Sequence, residues 1–150
     1  MPEFEHNIHI DAPSETVFKY LLDPDTAHAV NPSVHEMTDI KQQVGGGYRA
    51  KMTYKLFAVK TTGTLEAVVI EPDVEIVYRF DGAGLNGTLT WRLTDQNGGT
   101  DVVERGDYKM TESVLDKVLE PVAAKYNERQ FKTAFRNMKT YIEAQVAAPA

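Results

Sequence analysis

A chain of 150 residues, 42% hydrophobic and 25% charged, is one domain's worth and can bury a core without metal or disulfide staples. It contains no cysteine, which removes disulfides, thiolate nucleophiles and zinc-thiolate sites. Its net charge of −6, with Lys and Arg scattered rather than massed, offers no basic footprint for nucleic acid and no polybasic patch for a membrane surface.

The opening residues are acidic and lack the apolar run of a signal peptide. No apolar stretch approaches the about 20 residues needed to span a bilayer. The expectation is a soluble, cytoplasmic protein.

Periodicity separates strands from helices along the chain. Phe4 to Ile10 alternates, with His6, Ile8 and Ile10 on one face, and reads as a strand. Asp11-Ala12-Pro13-Ser14 breaks it, and Ser14 is the expected N-cap of a short helix carrying Val17, Phe18, Leu21 and Leu22. Asp23-Pro24-Asp25 ends that helix and opens a second, which Asn31-Pro32 closes, because the residue before proline resists the helical conformation. From Ser33 to Met110 short alternating strands are separated by turns at Gly45-Gly46-Gly47, Glu71-Pro72-Asp73 and Asn97-Gly98-Gly99. One face collects Tyr48, Ala50, Met52 and Tyr54, then Val59, Thr61, Leu65, Ala67 and Val69, then Val74, Ile76, Tyr78 and Phe80. Leu89, Trp91 and Leu93 continue that face, followed by Val102, Glu104, Tyr108 and Met110. This is the pattern of an antiparallel meander with one wet side. After Thr111 the spacing turns helical almost to the end of the chain; Pro121 is expected to kink that long helix, the alternative being that it marks the first turn of a helix that starts late. There is no linker and no repeat, so residues 1–150 are expected to form one domain.

The order strand, two short helices, strand meander, long C-terminal helix is the helix-grip order. The wording resembles a known superfamily as well. Ile10-Asp11-Ala12-Pro13-Ser14-Glu15-Thr16-Val17-Phe18, then Leu22-Asp23-Pro24-Asp25 and Asn31-Pro32-Ser33-Val34, resemble the opening of the SRPBCC superfamily. That superfamily includes polyketide cyclase/dehydrase-like proteins, START-type lipid-transfer domains and birch-pollen-allergen-like proteins. Trp91-Arg92-Leu93-Thr94 with Gly98-Gly99-Thr100 resembles its penultimate hairpin, and Asn127-Glu128-Arg129 and Asn137-Met138-Lys139 are similar to its last helix. The resemblance implies an α+β helix-grip fold: a curved antiparallel sheet wrapped around a long C-terminal helix, with two short helices after the first strand. It also implies a cavity between helix and sheet, used by relatives for lipid transport, hormone binding, cyclisation or dehydration. No catalytic motif is shared across so broad a group, so the resemblance carries no catalytic residue over.

Among candidate residues, Glu104 stands in the inward register between Val102 and Tyr108. A carboxylate there is desolvated, which raises its pKa toward the range useful for acid/base work; at the open end of the sheet it would instead meet water or an arginine. Tyr48, Tyr54, Tyr78, Trp91 and Tyr108 also read as inward. Aromatic bodies with one polar tip suit a pocket that stacks a planar or greasy ligand, though Trp91 fits plain core packing better. Val118 and Val122, one helical turn apart, complete the expected ligand-binding set.

Gly82 to Gly87 spells G-x-G-x-x-G, but a strand follows rather than a helix, so no dinucleotide site is expected. His6, His9, His28 and His35 have no metal-ligand spacing, with His6 expected to pack beneath the helix and His28 to edge the pocket mouth. No metal or other cofactor is implied. The apolar turn Leu56-Phe57-Ala58 is a candidate partner or homodimer contact if exposed, and core if tucked in.

Three functions follow from this reading. The first is a carrier or sensor of a hydrophobic or aromatic, lipid- or polyketide-like small molecule. The second is a cyclase, dehydratase or isomerase using Glu104, without metal or nucleotide. The third is a protein-interaction module whose cavity has collapsed.

Overall fold

The computed structural model describes residues 3–56, 59–82, 85–110 and 120–147. The chain forms β1 (Glu3–Ile10), α1 (Ser14–Leu21), α2 (Pro24–Val30), β2 (Val34–Gln42), β3 (Tyr48–Leu56), β4 (Val59–Glu71), β5 (Glu75–Asp81), β6 (Leu85–Gln96), β7 (Gly99–Met110) and α3 (Glu120–Ala147). The strands make one antiparallel sheet in the order β1-β7-β6-β5-β4-β3-β2. The first two strands in sequence therefore stand at opposite edges, and α1 and α2 bridge the distance between them. This is the helix-grip architecture: a curved sheet closed over by the long helix.

The turns form where the sequence marks them. The β6–β7 hairpin closes through Asn97 and Gly98, both at positive φ (51° and 80°), the conformation that matches the twist of the flanking strands. α2 starts with Asp23 as N-cap, its carboxylate accepting from the Asp25 amide at 2.9 Å, and Pro24 fills the first turn, where its missing N–H costs nothing.

Ser14 departs from expectation. It is the first helical residue, and Pro13, in extended conformation, occupies the N-cap position without a side-chain cap. The Ser14 hydroxyl is drawn away from the helix: it donates to Asp95 at 2.5 Å and lies 3.2 Å from the Thr100 hydroxyl. A hydrogen bond to a carboxylate outcompetes a cap to backbone amides.

The inward faces of the strands are those anticipated. Tyr48, Ala50, Met52 and Tyr54 are buried, as are Ile76, Tyr78 and Phe80, and Val102, Glu104, Tyr108 and Met110. α3, 28 residues and so about 42 Å long, lays Ala123, Asn127, Phe131, Phe135, Met138 and Ile142 on that concave face. Its second half is tied down by polar bonds. Asn137 Nδ2 donates to the Val30 carbonyl at 2.9 Å, at the end of α2. Lys139 Nζ donates both to the His9 carbonyl and to Glu143, each at 2.6 Å, and Glu143 accepts from the Asp11 amide at 2.8 Å. Lys139, with help from that amide, holds the Glu143 carboxyl below its ordinary range.

Pro121 stands in the first turn of α3 as described; the stretch ahead of it, on which the expected kink depends, lies outside the described residues. Gly106 has a different use. It is paired with Phe4 across β1 and β7, and a Cβ on it would come within 2.2 Å of the Phe4 ring. The absent side chain lets that ring lie across the strand and stack on Phe131, with centroids 5.0 Å apart.

Candidate functional site

Between sheet and helix lies a cavity of about 80 Å³. Tyr54, Tyr78, Phe80, Trp91 and Glu104 line it from the sheet, and Phe131, Phe135 and Met138 from α3, while Val30 and Asn31 close the α2 end. Its lining is overwhelmingly apolar. The volume exceeds what a water needs but falls well below the roughly 300–1,000 Å³ of occupied small-molecule pockets. It is therefore a small space, walled in part by two methionines, Met52 and Met138, whose unbranched side chains repack readily.

Glu104 is the one carboxylate among the described residues that line this cavity, and it is 2% exposed. Strand register explains its surroundings. His6 on β1 and Trp91 on β6 are both directly paired with Glu104 on β7, so the three side chains form a row across the sheet. Trp91 Nε1 donates to Glu104 Oε2 at 2.6 Å, and His6 Nδ1 lies 3.2 Å from Oε1. Burial pushes the Glu104 carboxyl above its ordinary pKa, and the hydrogen bonds from His6 and Trp91, with the nearby His6 charge, pull the other way. Desolvation is the larger effect, so proton uptake is made easier at this group. His6 itself packs between Phe4 and Phe135, with ring centroids 5.0 and 6.3 Å away, and its side chain keeps 15% exposure. A proton on Glu104 thus has a titratable neighbour that touches solvent.

The family model for polyketide cyclase / dehydrase and lipid transport matches residues 1–143. The chain belongs to this family. Solved structures of the same fold share little sequence with it. TTHA0849 from Thermus thermophilus is 17% identical with a TM-score of 0.81, the match covering 98% of this chain and 100% of that one. A START superfamily protein from Mycobacterium smegmatis is 10% identical with a TM-score of 0.78, covering 95% and 98%. The Zhui aromatase/cyclase from a Streptomyces species is 15% identical with a TM-score of 0.73, covering 98% and 96%. No curated protein of matching sequence is found. At these identities the structural neighbours establish the fold alone, and the family's description, polyketide cyclase / dehydrase and lipid transport, suggests hydrophobic small-molecule binding.

Within this member of the family, the aromatic residues anticipated from sequence divide into two groups. Tyr54, Tyr78 and Trp91 line the cavity with Glu104. Tyr48 and Tyr108 are equally buried but do not line it. Tyr48 packs edge-on against Tyr78 at 6.1 Å, and Tyr108 packs against Phe131 at 5.7 Å. Alternation predicts which face a residue takes, and it carries no information about which of the inward residues meet one another before reaching the cavity. Val122 is a correction: it is 49% exposed, one residue before the buried Ala123, and faces solvent rather than the cavity. Val118, the apolar turn Phe57-Ala58 and Ala83-Gly84 lie outside the described residues. β6 begins at Leu85, inside the Gly82–Gly87 run, so among the described residues a strand rather than a helix follows it and no helix N-terminus meets a pyrophosphate. His28 lies at the surface, with Nε2 3.2 Å from the His35 carbonyl.

Tyrosine hydroxyls in the interior differ in what they find. Tyr78 donates to the Leu21 carbonyl. Desolvation holds the Tyr78 and Tyr54 hydroxyls well above the ordinary tyrosine range, and those of Tyr48 and Tyr108 up to about 12. All four are neutral donors at any physiological pH. The Tyr54 hydroxyl stands near that of Ser33 without closing a hydrogen bond of good geometry, and neither has another partner. The Asn127 amide likewise has only the Tyr108 hydroxyl within reach, with no hydrogen bond of good geometry at either end. Sequence inspection missed Trp91 as a donor to the carboxylate and His6 as its second partner. The signal was present in the pairing of β1, β7 and β6, which requires the register to be known.

Proposed function

We propose that the chain acts as a single ligand-holding domain: it takes an apolar or aromatic small molecule between the sheet and α3, as a carrier or sensor. The observation that carries this reading is the cavity itself, lined mostly by apolar side chains, with Glu104 as the one carboxylate among the described residues that line it. An apolar enclosure selects greasy surface by excluding water, and a few fixed polar groups set orientation. A ligand larger than the cavity would make room by repacking side chains such as Met52 and Met138. Native mass spectrometry of the purified chain beside a denatured control tests the reading. A co-purifying small molecule supports it; a clean apo mass, followed by no thermal shift across a broad hydrophobic library, refutes it in favour of an interaction module.

A second reading, catalysis of a cyclisation, dehydration or isomerisation, is favoured by the Glu104 row. A general acid or base works best with its pKa moved toward neutrality and a route for its proton. Glu104 has the upward shift, and His6 links it toward solvent. Tyr54 or Tyr78 would orient a carbonyl. Turnover assays of Glu104→Gln on the co-purified molecule or its analogues divide the two: loss of turnover with retained binding marks an enzyme, and no turnover by either protein marks a carrier.

A further inference from the structure

Nearly all buried polar side chains in folded proteins are hydrogen-bonded, and each exception has a cause. Three of the exceptions, Tyr54, which lines the cavity, and Ser33 and Asn127, which stand behind its lining, lie toward one end of it. Asn127, Ser33 and Tyr54 are 0%, 1% and 3% exposed, yet the Asn127 amide and both hydroxyls lack a partner.

Register offsets this group from Glu104 along the strands. Tyr108 lies four residues beyond Glu104 on β7, and its row runs through Gly87, Phe80 and Leu65 to Ala50 on β3. Tyr54 is a further four residues along β3 in the same direction. α3 follows the same axis: Phe135 packs on His6 beside Glu104, Phe131 on Tyr108, and Asn127, one turn earlier, stands beside the Tyr108 hydroxyl. Tyr54 lines the cavity, Asn31 and Val34 on either side of Ser33 line it, and Phe131 carries the lining to within one turn of Asn127.

We infer that this end of the cavity is a second, neutral recognition pole, at which Tyr54, Ser33 and Asn127 donate hydrogen bonds to a carbonyl or hydroxyl oxygen of the ligand. The ligand class follows: an elongated or fused-ring apolar molecule with an oxygen at the end remote from Glu104. The inference rests on the cavity being a ligand site, as proposed above. Its physical basis is asymmetric. A buried donor without a partner is already desolvated, so a ligand oxygen that reaches it gains a hydrogen bond without stripping water from the protein side.

Matched probes test it. 2-Acetylnaphthalene and 2-isopropenylnaphthalene have the same shape, and only the ketone accepts hydrogen bonds. Calorimetric titration of the full chain is expected to show the ketone binding roughly tenfold tighter, the size of one net hydrogen bond to a buried group. Tyr54→Phe and Asn127→Leu should each bring the ratio toward one while leaving the hydrocarbon's affinity unchanged. Asn127→Leu should also melt no lower than wild type, since it removes an unpaired buried amide; should it fail to fold, Tyr54→Phe, one atom smaller, carries the test. A ratio near one in the wild type, or a ratio unchanged in the variants, overturns the pole and leaves the ligand site standing. Binding of neither probe overturns the ligand reading and this inference with it.

Discussion

Replacing Glu104 by Gln separates the effect of charge from that of shape. Gln is nearly isosteric, its carbonyl can accept from Trp91 Nε1, and its amide can donate to His6 Nδ1 in the tautomer that carries its proton on Nε2, so the row across β1, β7 and β6 survives with the His6 bond reversed. What disappears is a carboxylate held at 2% exposure. The folded-state pKa of Glu104 is raised by desolvation, so between the unfolded carboxyl value and the raised one the folded state binds more protons than the unfolded state. Stability therefore falls as pH rises through that window, and the full penalty is present above it. Below the unfolded value the carboxyl contributes no difference. At pH 8 Glu104→Gln should be more stable than wild type by about 1–3 kcal/mol, the residual desolvation of a charge only partly compensated by its partners. At about 2–4 °C per kcal/mol for a chain of this size, the melting temperature should rise by roughly 3–10 °C. Circular-dichroism melts of both proteins from pH 4 to pH 8 measure it, and the gap should close toward the acid end. A variant less stable at pH 8, or a gap that does not change with pH, would refute the reasoning, because it would mean the two hydrogen bonds outweigh desolvation.

Trp91 is the sole tryptophan and its indole donates to Glu104, so wild-type emission should change as the carboxyl titrates above the ordinary carboxylate range. Glu104→Gln should show no such transition. Gly106→Ala should destabilise by about 1–3 kcal/mol in urea melts, because the new methyl group collides with the Phe4 ring; combining it with Phe4→Ala should cost less than the sum of the two. Asn137→Ala removes the tie to the Val30 carbonyl and should lower stability by about 1 kcal/mol, leaving an unpaired acceptor at the end of α2.

Much of the fold was readable because its signals are local. Alternation on β3, β5 and β7, the Asp23-Pro24 start of α2 and the Asn97-Gly98 hairpin each act within a few residues. The site was legible only in part. Glu104 could be placed inward by counting along one strand, but its partners depend on pairing β7 with β1, 98 residues earlier in the chain for His6. Ser14 shows the same limit. Its local setting is that of an N-cap, and only the return of the β6–β7 hairpin, with Asp95, redirects its hydroxyl. Val122 fails for another reason. Helical spacing fixes a face to within a residue or so, and Ala123 rather than Val122 lies at its centre. The family resemblance, carried by turns and caps as much as by core, extended to Asn137 and Lys139, which serve as the ties between α3 and the rest of the fold.

The two ends of the cavity differ in what a ligand can gain from them. Glu104 is already satisfied by Trp91 and His6 when no ligand is present, so a ligand reaching it competes with or adds to existing bonds and gains little affinity. The Tyr54 and Ser33 hydroxyls have only each other within reach and the Asn127 amide only the Tyr108 hydroxyl, none in good geometry, so a ligand oxygen there displaces little and gains most of a bond. Affinity and reactivity consequently belong to different ends. If the protein is an enzyme, Tyr54 makes the same contact in ground state and transition state, while proton transfer at Glu104 matters only in the transition state. Tyr54→Phe should then raise KM about tenfold with kcat nearly unchanged, and Glu104→Gln should lower kcat by roughly 100-fold or more with KM nearly unchanged. Steady-state kinetics on any turned-over substrate reads the split directly. A fall in kcat from Tyr54→Phe as large as that from Glu104→Gln would show that the chemistry spans both ends, and would move the tyrosine from positioning to catalysis.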